Sequence, residues 1–351
     1  MARQIRDVLL ALGHEVTLVS ELRSFVKSGR SDEQLEKQDE AVPEIDRLRR
    51  HWRSDSSSCP DVWMTYHNYH KAPDWLGPAL AAEFALPYLI IEPSIAPVKA
   101  EGSWSLGYSQ ALRGFELAKK LLVMTAKDHA GFAAFPDLAA KCCHFPPFVA
   151  EREAVTGGLH DCRYRIAEHH GLDPRCPWIV TTAMMRDDVK LQSYLAAIEI
   201  LADLCDVPWQ WLVIGDGEAR DTIEPKAKAA LGQRVVFAGQ LPTSDVRHYL
   251  SASDIYFWPA FDEAYGMAIL EAQSAGLPAV AFDEGGVNSI VQHERTGFLV
   301  PERDHALAGT ALRRLMGDAD LRQNLGEEAA RLVQRDLSFA AAAKRLSDAL
   351  A

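Results

Sequence analysis

The segment 261–280, Phe-Asp-Glu-Ala-Tyr-Gly-Met-Ala-Ile-Leu-Glu-Ala-Gln-Ser-Ala-Gly-Leu-Pro-Ala-Val, concentrates residues suited to chemistry. Apolar residues recur at helical spacing from Met267 to Ala275, and Gly276-Leu277-Pro278 stops that helix and starts a strand. The helix therefore begins near Gly266. Its first amides lack intrahelical partners and its dipole is positive at that end, so Gly266, Met267 and Ala268 offer a phosphate close backbone approach. Glu263 lies in the loop just before the helix, and Glu271 lies about one and a half turns inside it. Two carboxylates so placed can flank a diphosphate and reach hydroxyls on either side of it. Taken alone, two such glutamates are more simply a solvated loop carboxylate and a helix-surface carboxylate.

Other candidates sit at the ends of strand-like segments. Arg186 and Lys190 follow a strand at 179–183, at the carboxyl edge where open α/β sheets bind ligands; a surface salt bridge is the alternative. Gly215 opens Gly-Asp-Gly after the strand 211–215, and Phe237-Ala-Gly239 closes the strand 235–239; tight-turn glycines are the alternative there. In the first half, Tyr66-His67-Asn-Tyr-His70 follows a strand at 61–66, and Glu92-Pro-Ser follows one at 87–91. Lys99 and Trp104 lie in the next loop. Asp318-Ala-Asp320 has the look of a metal motif, but its place at a helix start favours capping.

These candidates require a frame of strands alternating with helices. The first half reads as a helix over Ile5–Leu12, a strand at 15–20, a charged surface excursion at 23–58 with some helix at 42–52, then strands at 61–66, 87–91 and 121–125. The second half reads as strands at 179–183, 211–215, 235–239, 254–259, 279–282 and 298–300, with helices between most of them. Such alternation predicts an α/β chain with parallel sheets covered on both faces. A chain of 351 residues exceeds one ordinary core. The proline pair at Pro146-Pro147 and the polar stretch 151–162 mark an interdomain connection. We expect an N-terminal domain over 1–149, a C-terminal domain over 150–335, and a final helix over 336–351.

The strand before Phe261, the Tyr-Gly and Ala-Gly-Leu-Pro turns, and Asp283-Glu-Gly-Gly-Val-Asn through Thr296-Gly-Phe-Leu-Val-Pro301 together resemble the retaining, GT-B-fold glycosyltransferases of the family 4 type, whose hallmark is Glu-x7-Glu. The resemblance implies two Rossmann-like domains facing a cleft, an acceptor-side domain over 1–149 and a nucleotide-sugar donor-binding domain over 150–335. It implies sugar transfer from a UDP- or GDP-sugar to a glycan, lipid-linked or small-molecule acceptor in carbohydrate biosynthesis. It further implies that Glu271 bonds the donor ribose, Glu263 the sugar hydroxyls, and Arg186 and Lys190 the departing diphosphate. Gly215, Phe237 and Gly239 then belong to the base and ribose side. No cofactor or metal is implied. His67 and His70 occupy a segment that often holds histidines in this family, whereas Glu92 stands where many relatives carry a histidine near the reacting sugar. A catalytically inactive nucleotide-sugar-binding protein and a nucleotide-sugar epimerase are the competing readings. Transfer to an added acceptor separates the first reading from both.

Composition narrows the partners. A formal net charge of -12 argues against nucleic-acid binding, which depends on Lys and Arg neutralising phosphates. Six cysteines show no zinc spacing or disulfide framework; Cys142-Cys143-His144 reads as buried thiols, and a reducing cytoplasm is the expected compartment. No apolar run reaches the ~18 residues of a spanning helix, so membrane contact is expected to be peripheral at most, at the inner face. Finally, the chain opens inside a helix, whereas the resembled family places a strand and a glycine-containing loop before it. We expect this first strand of the N-terminal sheet to be lacking, through truncation at the N-terminus. Intact-mass analysis of the native product tests this expectation, and a product that starts at Met1 and transfers sugar efficiently contradicts it.

Overall fold

The structure is a computed structural model and describes residues 1–150 and 159–351, so most of the expected connection at 151–162 lies outside the described residues. Two compact units emerge: Met1–Pro146 with Ala342–Ala351, and Pro147–Ala341.

The first unit contains α1 (Ala2–Ala11), α2 (Ser31–Ser54), β1 (Trp63–Tyr66), α3 (Gly77–Glu83), β2 (Tyr88–Ile91), α4 (Ser105–Leu117), β3 (Lys120–Val123), α5 (Ala126–Phe132), α6 (Pro136–Ala139) and β4 (Cys142–His144). Its strands form one parallel sheet in the order β1-β2-β3-β4. All four residues of β2 are buried, as a central parallel strand requires.

Three expectations need correction here. Glu15–Ser20 is not a strand: Val16, Thr17 and Val19 favour extended backbone, but a strand exists only with a ladder partner, and β1 pairs only with β2. The segment is tied instead by the Arg47 guanidinium, which donates to the Val19 carbonyl at 2.6 Å. The excursion at 23–58 is largely α2, which seats Ala41, Leu48 and Trp52 in the core behind a charged outer face and carries Pro43 inside. That proline and the charged face concealed most of the helix. Cys142-Cys143-His144 is the edge strand β4, with both cysteines only partly buried. Burial still pushes the Cys142 thiol up to about 11, and its Sγ donates to the Leu138 carbonyl at 3.4 Å.

The second unit contains α7 (Leu159–His170), β5 (Trp178–Thr182), α8 (Val189–Ala202), β6 (Gln210–Ile214), α9 (Arg220–Leu231), β7 (Val235–Gly239), α10 (Thr243–Ala252), β8 (Ile255–Trp258), α11 (Met267–Ser274), β9 (Ala279–Phe282), β10 (Gly297–Val300), α12 (His305–Gly317) and α13 (Ala319–Asp336). α14 (Phe339–Leu350) closes the chain. Each strand expected from 179 onward is present to within one residue at either end. The sheet is parallel in the order β7-β6-β5-β8-β9-β10. From β5 the chain runs outward through β6 and β7, then returns to β8 and runs the other way. The two directions part between β5 and β8, a topological switch point whose carboxyl edge is open to a ligand.

One polar knot anchors the first unit. Asp74 accepts from the Leu76 and Gly77 amides through Oδ1, each at 2.8 Å, and from Tyr88, Trp63 and the Thr65 hydroxyl through Oδ2. Asp74→Ala strands the buried Tyr88 hydroxyl and uncaps α3, and should lower stability by about 2–4 kcal/mol in urea unfolding. A loss below about 0.5 kcal/mol would show the knot to be incidental.

Candidate functional site

The switch point carries the charged pair that the sequence singled out. After β5 the chain turns through Ala183 and Arg186 into α8, and after β8 it turns through Phe261 and Glu263 into α11. Both turns are held from below. The Tyr194 hydroxyl donates to the Ala183 carbonyl at 2.8 Å, and the Ser193 hydroxyl accepts from the Phe261 amide at 3.0 Å. Between the strands, the Thr181 hydroxyl donates to the Phe257 carbonyl at 2.6 Å and accepts from the Trp211 indole at 2.9 Å.

Lys190 Nζ meets Glu263 Oε2 at 2.5 Å, both side chains being more than four-fifths buried. The ammonium also lies 5.3 Å from the Trp258 ring centre, a cation–π distance. Glu263 Oε1 accepts from the Gly266 amide at 3.3 Å, so a carboxylate already sits at the positive end of α11. Gly266 is left-handed, and no side chain caps α11 beyond it. Lys190, Glu263, Gly266, Met267 and Ala268 line one cavity of about 210 Å³, together with Thr182, Trp258 and Tyr265. Trp258 and Tyr265 were not singled out from sequence. Trp258 read as an ordinary strand residue, although its place at the last position of β8 was a usable signal.

Other expected residues sit apart from that cavity. Glu271, half-buried on α11, is not among its lining residues. Arg186 is exposed and pairs with Asp188 at 3.1 Å. Asp188 also caps α8 by accepting from the Lys190 amide at 2.8 Å, which explains an acid beside two cations. Gly215 serves packing: a Cβ there would stand 1.9 Å from the Ala183 carbonyl oxygen, so only glycine lets the β6 turn close on the β5 turn. The Gly215 amide donates to the Gly239 carbonyl at 2.9 Å, and Phe237 is half-buried in β7. Asp318 caps α13 through the Leu321 amide at 2.8 Å.

In the first unit, His67 and Glu92 end the adjacent strands β1 and β2 with left-handed backbones, φ 66° and 58°, which non-glycine residues adopt at a cost. His67 Nδ1 lies 3.5 Å from Glu92 Oε1 and its ring stacks on Tyr69 at 4.4 Å. Glu92 is buried, with Oε2 unpaired. Burial of the Tyr66 hydroxyl, and then its proximity to the Glu92 carboxylate, raise its pKa far above the usual range. His70 packs edge-on to Trp104 at 5.2 Å with both ring nitrogens unpaired, and burial together with Lys71 and Lys99 lowers its pKa.

With this geometry in place, relatives can be compared. Residues 179–332 match the family model described as Glycosyl transferases group 1. The chain is 27% identical over 232 residues to an alpha-D-kanosaminyltransferase of Streptomyces kanamyceticus, covering 66% of this chain and 59% of that protein. It is 35% identical over 136 residues to a D-inositol 3-phosphate glycosyltransferase of Corynebacterium kroppenstedtii, covering 38% of this chain and 30% of the relative. The matches thus span less than two thirds of these curated relatives. Among solved structures, sucrose-phosphate synthase from Thermosynechococcus elongatus aligns with a TM-score of 0.69 at 19% identity, covering 99% of this chain and 91% of that one. Anabaena HepE in complex with UDP aligns at 0.68 with 14% identity, covering 89% and 82%. These likenesses establish the fold, an α/β arrangement with two parallel sheets as in GT-B glycosyltransferases. No described helix is long and apolar enough to cross a membrane.

Gly285 ties this site to the sheet. Its φ is 57°, and a Cβ would fall 1.7 Å from the Glu263 carbonyl oxygen. Gly285→Ala must therefore push the Glu263 turn away. We expect a stability loss of about 1–3 kcal/mol, measured by urea unfolding. Wild-type stability in this variant would mean that the turn can shift at no cost.

Proposed function

We propose that the chain is a glycosyltransferase that moves a sugar from a nucleotide-diphosphate donor to a glycan, lipid-linked or small-molecule acceptor. The convergence of Lys190, Glu263 and the uncapped α11 N-terminus on one cavity at the switch point carries this reading. The match of residues 179–332, and the likeness to Anabaena HepE in complex with UDP and with UDP-glucose, support a nucleotide-sugar donor.

In the mechanism we infer, transfer is retaining. The glycosidic oxygen leaves with the diphosphate, the acceptor oxygen bonds to the same face of the sugar, and its proton passes to the departing phosphate. No protein nucleophile or metal is required. Lys190 and the α11 amides stabilise charge that grows on the leaving group, with Arg186 joining them once it leaves Asp188. Glu263 holds sugar hydroxyls and Glu271 the ribose. Within the first unit, Glu92, His67 and His70 are the candidates for sugar or acceptor contact. Catalysis then rests on orientation and electrostatics.

A donor screen by thermal shift, followed by product mass spectrometry over an acceptor panel, tests the activity; binding without any product contradicts it. Lys190→Ala should depress kcat about 10²-fold, more than it weakens donor binding. Glu271→Ala should mainly raise the donor Kd. Transfer should survive excess EDTA, and its abolition by EDTA would refute the metal-independent route.

A further inference from the structure

Only two of the residues lining the switch-point cavity are charged, Lys190 and Glu263, and they are paired with each other. An anion entering that cavity meets one cation, already bound to a carboxylate. It also meets one helix terminus, whose Gly266 amide is turned onto the other oxygen of the same carboxylate. Diphosphate and carboxylate cannot share this position, because like charges at contact distance in a partly buried site repel strongly.

The backbone decides which part of Glu263 can give way. Its carbonyl accepts from the Gly286 amide at 3.4 Å and is pressed against Gly285, so the main chain is clamped. Asp262 just before it is held at φ 49°, a further constraint on the turn. The polar contacts of the side chain are those of its carboxylate, to Lys190 Nζ and the Gly266 amide.

We propose that Glu263 and the donor's diphosphate compete for one anion position, formed by Lys190 and the α11 N-terminus, so that donor binding exchanges carboxylate for phosphate. The exchange is a rotation of the Glu263 side chain on a fixed backbone. It releases the carboxylate from Lys190 and makes it available to sugar hydroxyls only once the diphosphate is in place. Glu263 is thereby a specificity device: a free sugar, which cannot displace it from Lys190, does not find its hydrogen-bond acceptor. This inference rests on the donor-site reading above and adds an order of events to it.

The test is calorimetric titration of the full chain with UDP, for wild type, Glu263→Gln and Glu263→Ala, with melting curves verifying that each variant folds. Removing the competing charge should tighten UDP about five-fold or more in both variants, while transfer slows. A lower Kd with a lower kcat is a split that a merely structural glutamate does not produce. Equal or weaker UDP binding by the two variants, with wild type binding normally, overturns the competition alone and makes Glu263 a support for Lys190. No binding of UDP by any form, nor of GDP in the same titration, removes the donor reading and this inference together.

Discussion

Pairing of β5 with β8 is the constraint on which the rest of the second unit depends. These strands are distant in sequence, and their register is short, Ile179 with Ile255 and Val180 with Tyr256. It is reinforced by the Thr181 hydroxyl bridging to Phe257. Because the chain leaves β5 in one direction and β8 in the other within a parallel sheet, bringing these two strands together places their following turns side by side at the carboxyl edge. Lys190 opens the helix that follows one turn, and Glu263 lies in the other turn. The cavity is thus a consequence of topology, and the chemistry follows from which residues occupy those turns.

Charge and backbone geometry then cooperate. A mostly buried lysine needs a counter-charge, and Glu263 supplies it while also facing the positive end of α11. Glycines at 215 and 285 let neighbouring turns pack against the two loops without Cβ atoms. The same arrangement that stabilises the resting pair also makes an anion-binding position, because whatever satisfies Lys190 and the helix terminus must be negative.

Much of the second unit was readable in the sequence. Buried parallel strands are continuous apolar runs bounded by turn residues, and Ile179–Ala183 or Ala279–Phe282 have no competing interpretation. The first unit was harder. Val16-Thr-Leu-Val19 has strand composition but no ladder partner, and pairing is a property of other segments. Pro43 and a charged outer face hid α2, whose buried residues Ala41, Leu48 and Trp52 are widely spaced. At the site, position after strands and the family resemblance pointed to Glu263 and Lys190, but their direct contact across 73 positions is tertiary and invisible to any local pattern. The left-handed backbones of His67 and Glu92 were equally hidden, since neither residue type announces a positive φ.

The central claim is that the β5 and β8 turns build a phosphate-binding position at the start of α11. A crystal structure of the full chain with UDP tests it most directly. The account predicts a phosphate within hydrogen-bond distance of Lys190 Nζ and the first amides of α11, with the Glu263 carboxylate turned away from Lys190. A nucleotide bound elsewhere, or phosphates distant from Lys190 with its pairing to Glu263 intact, would contradict it.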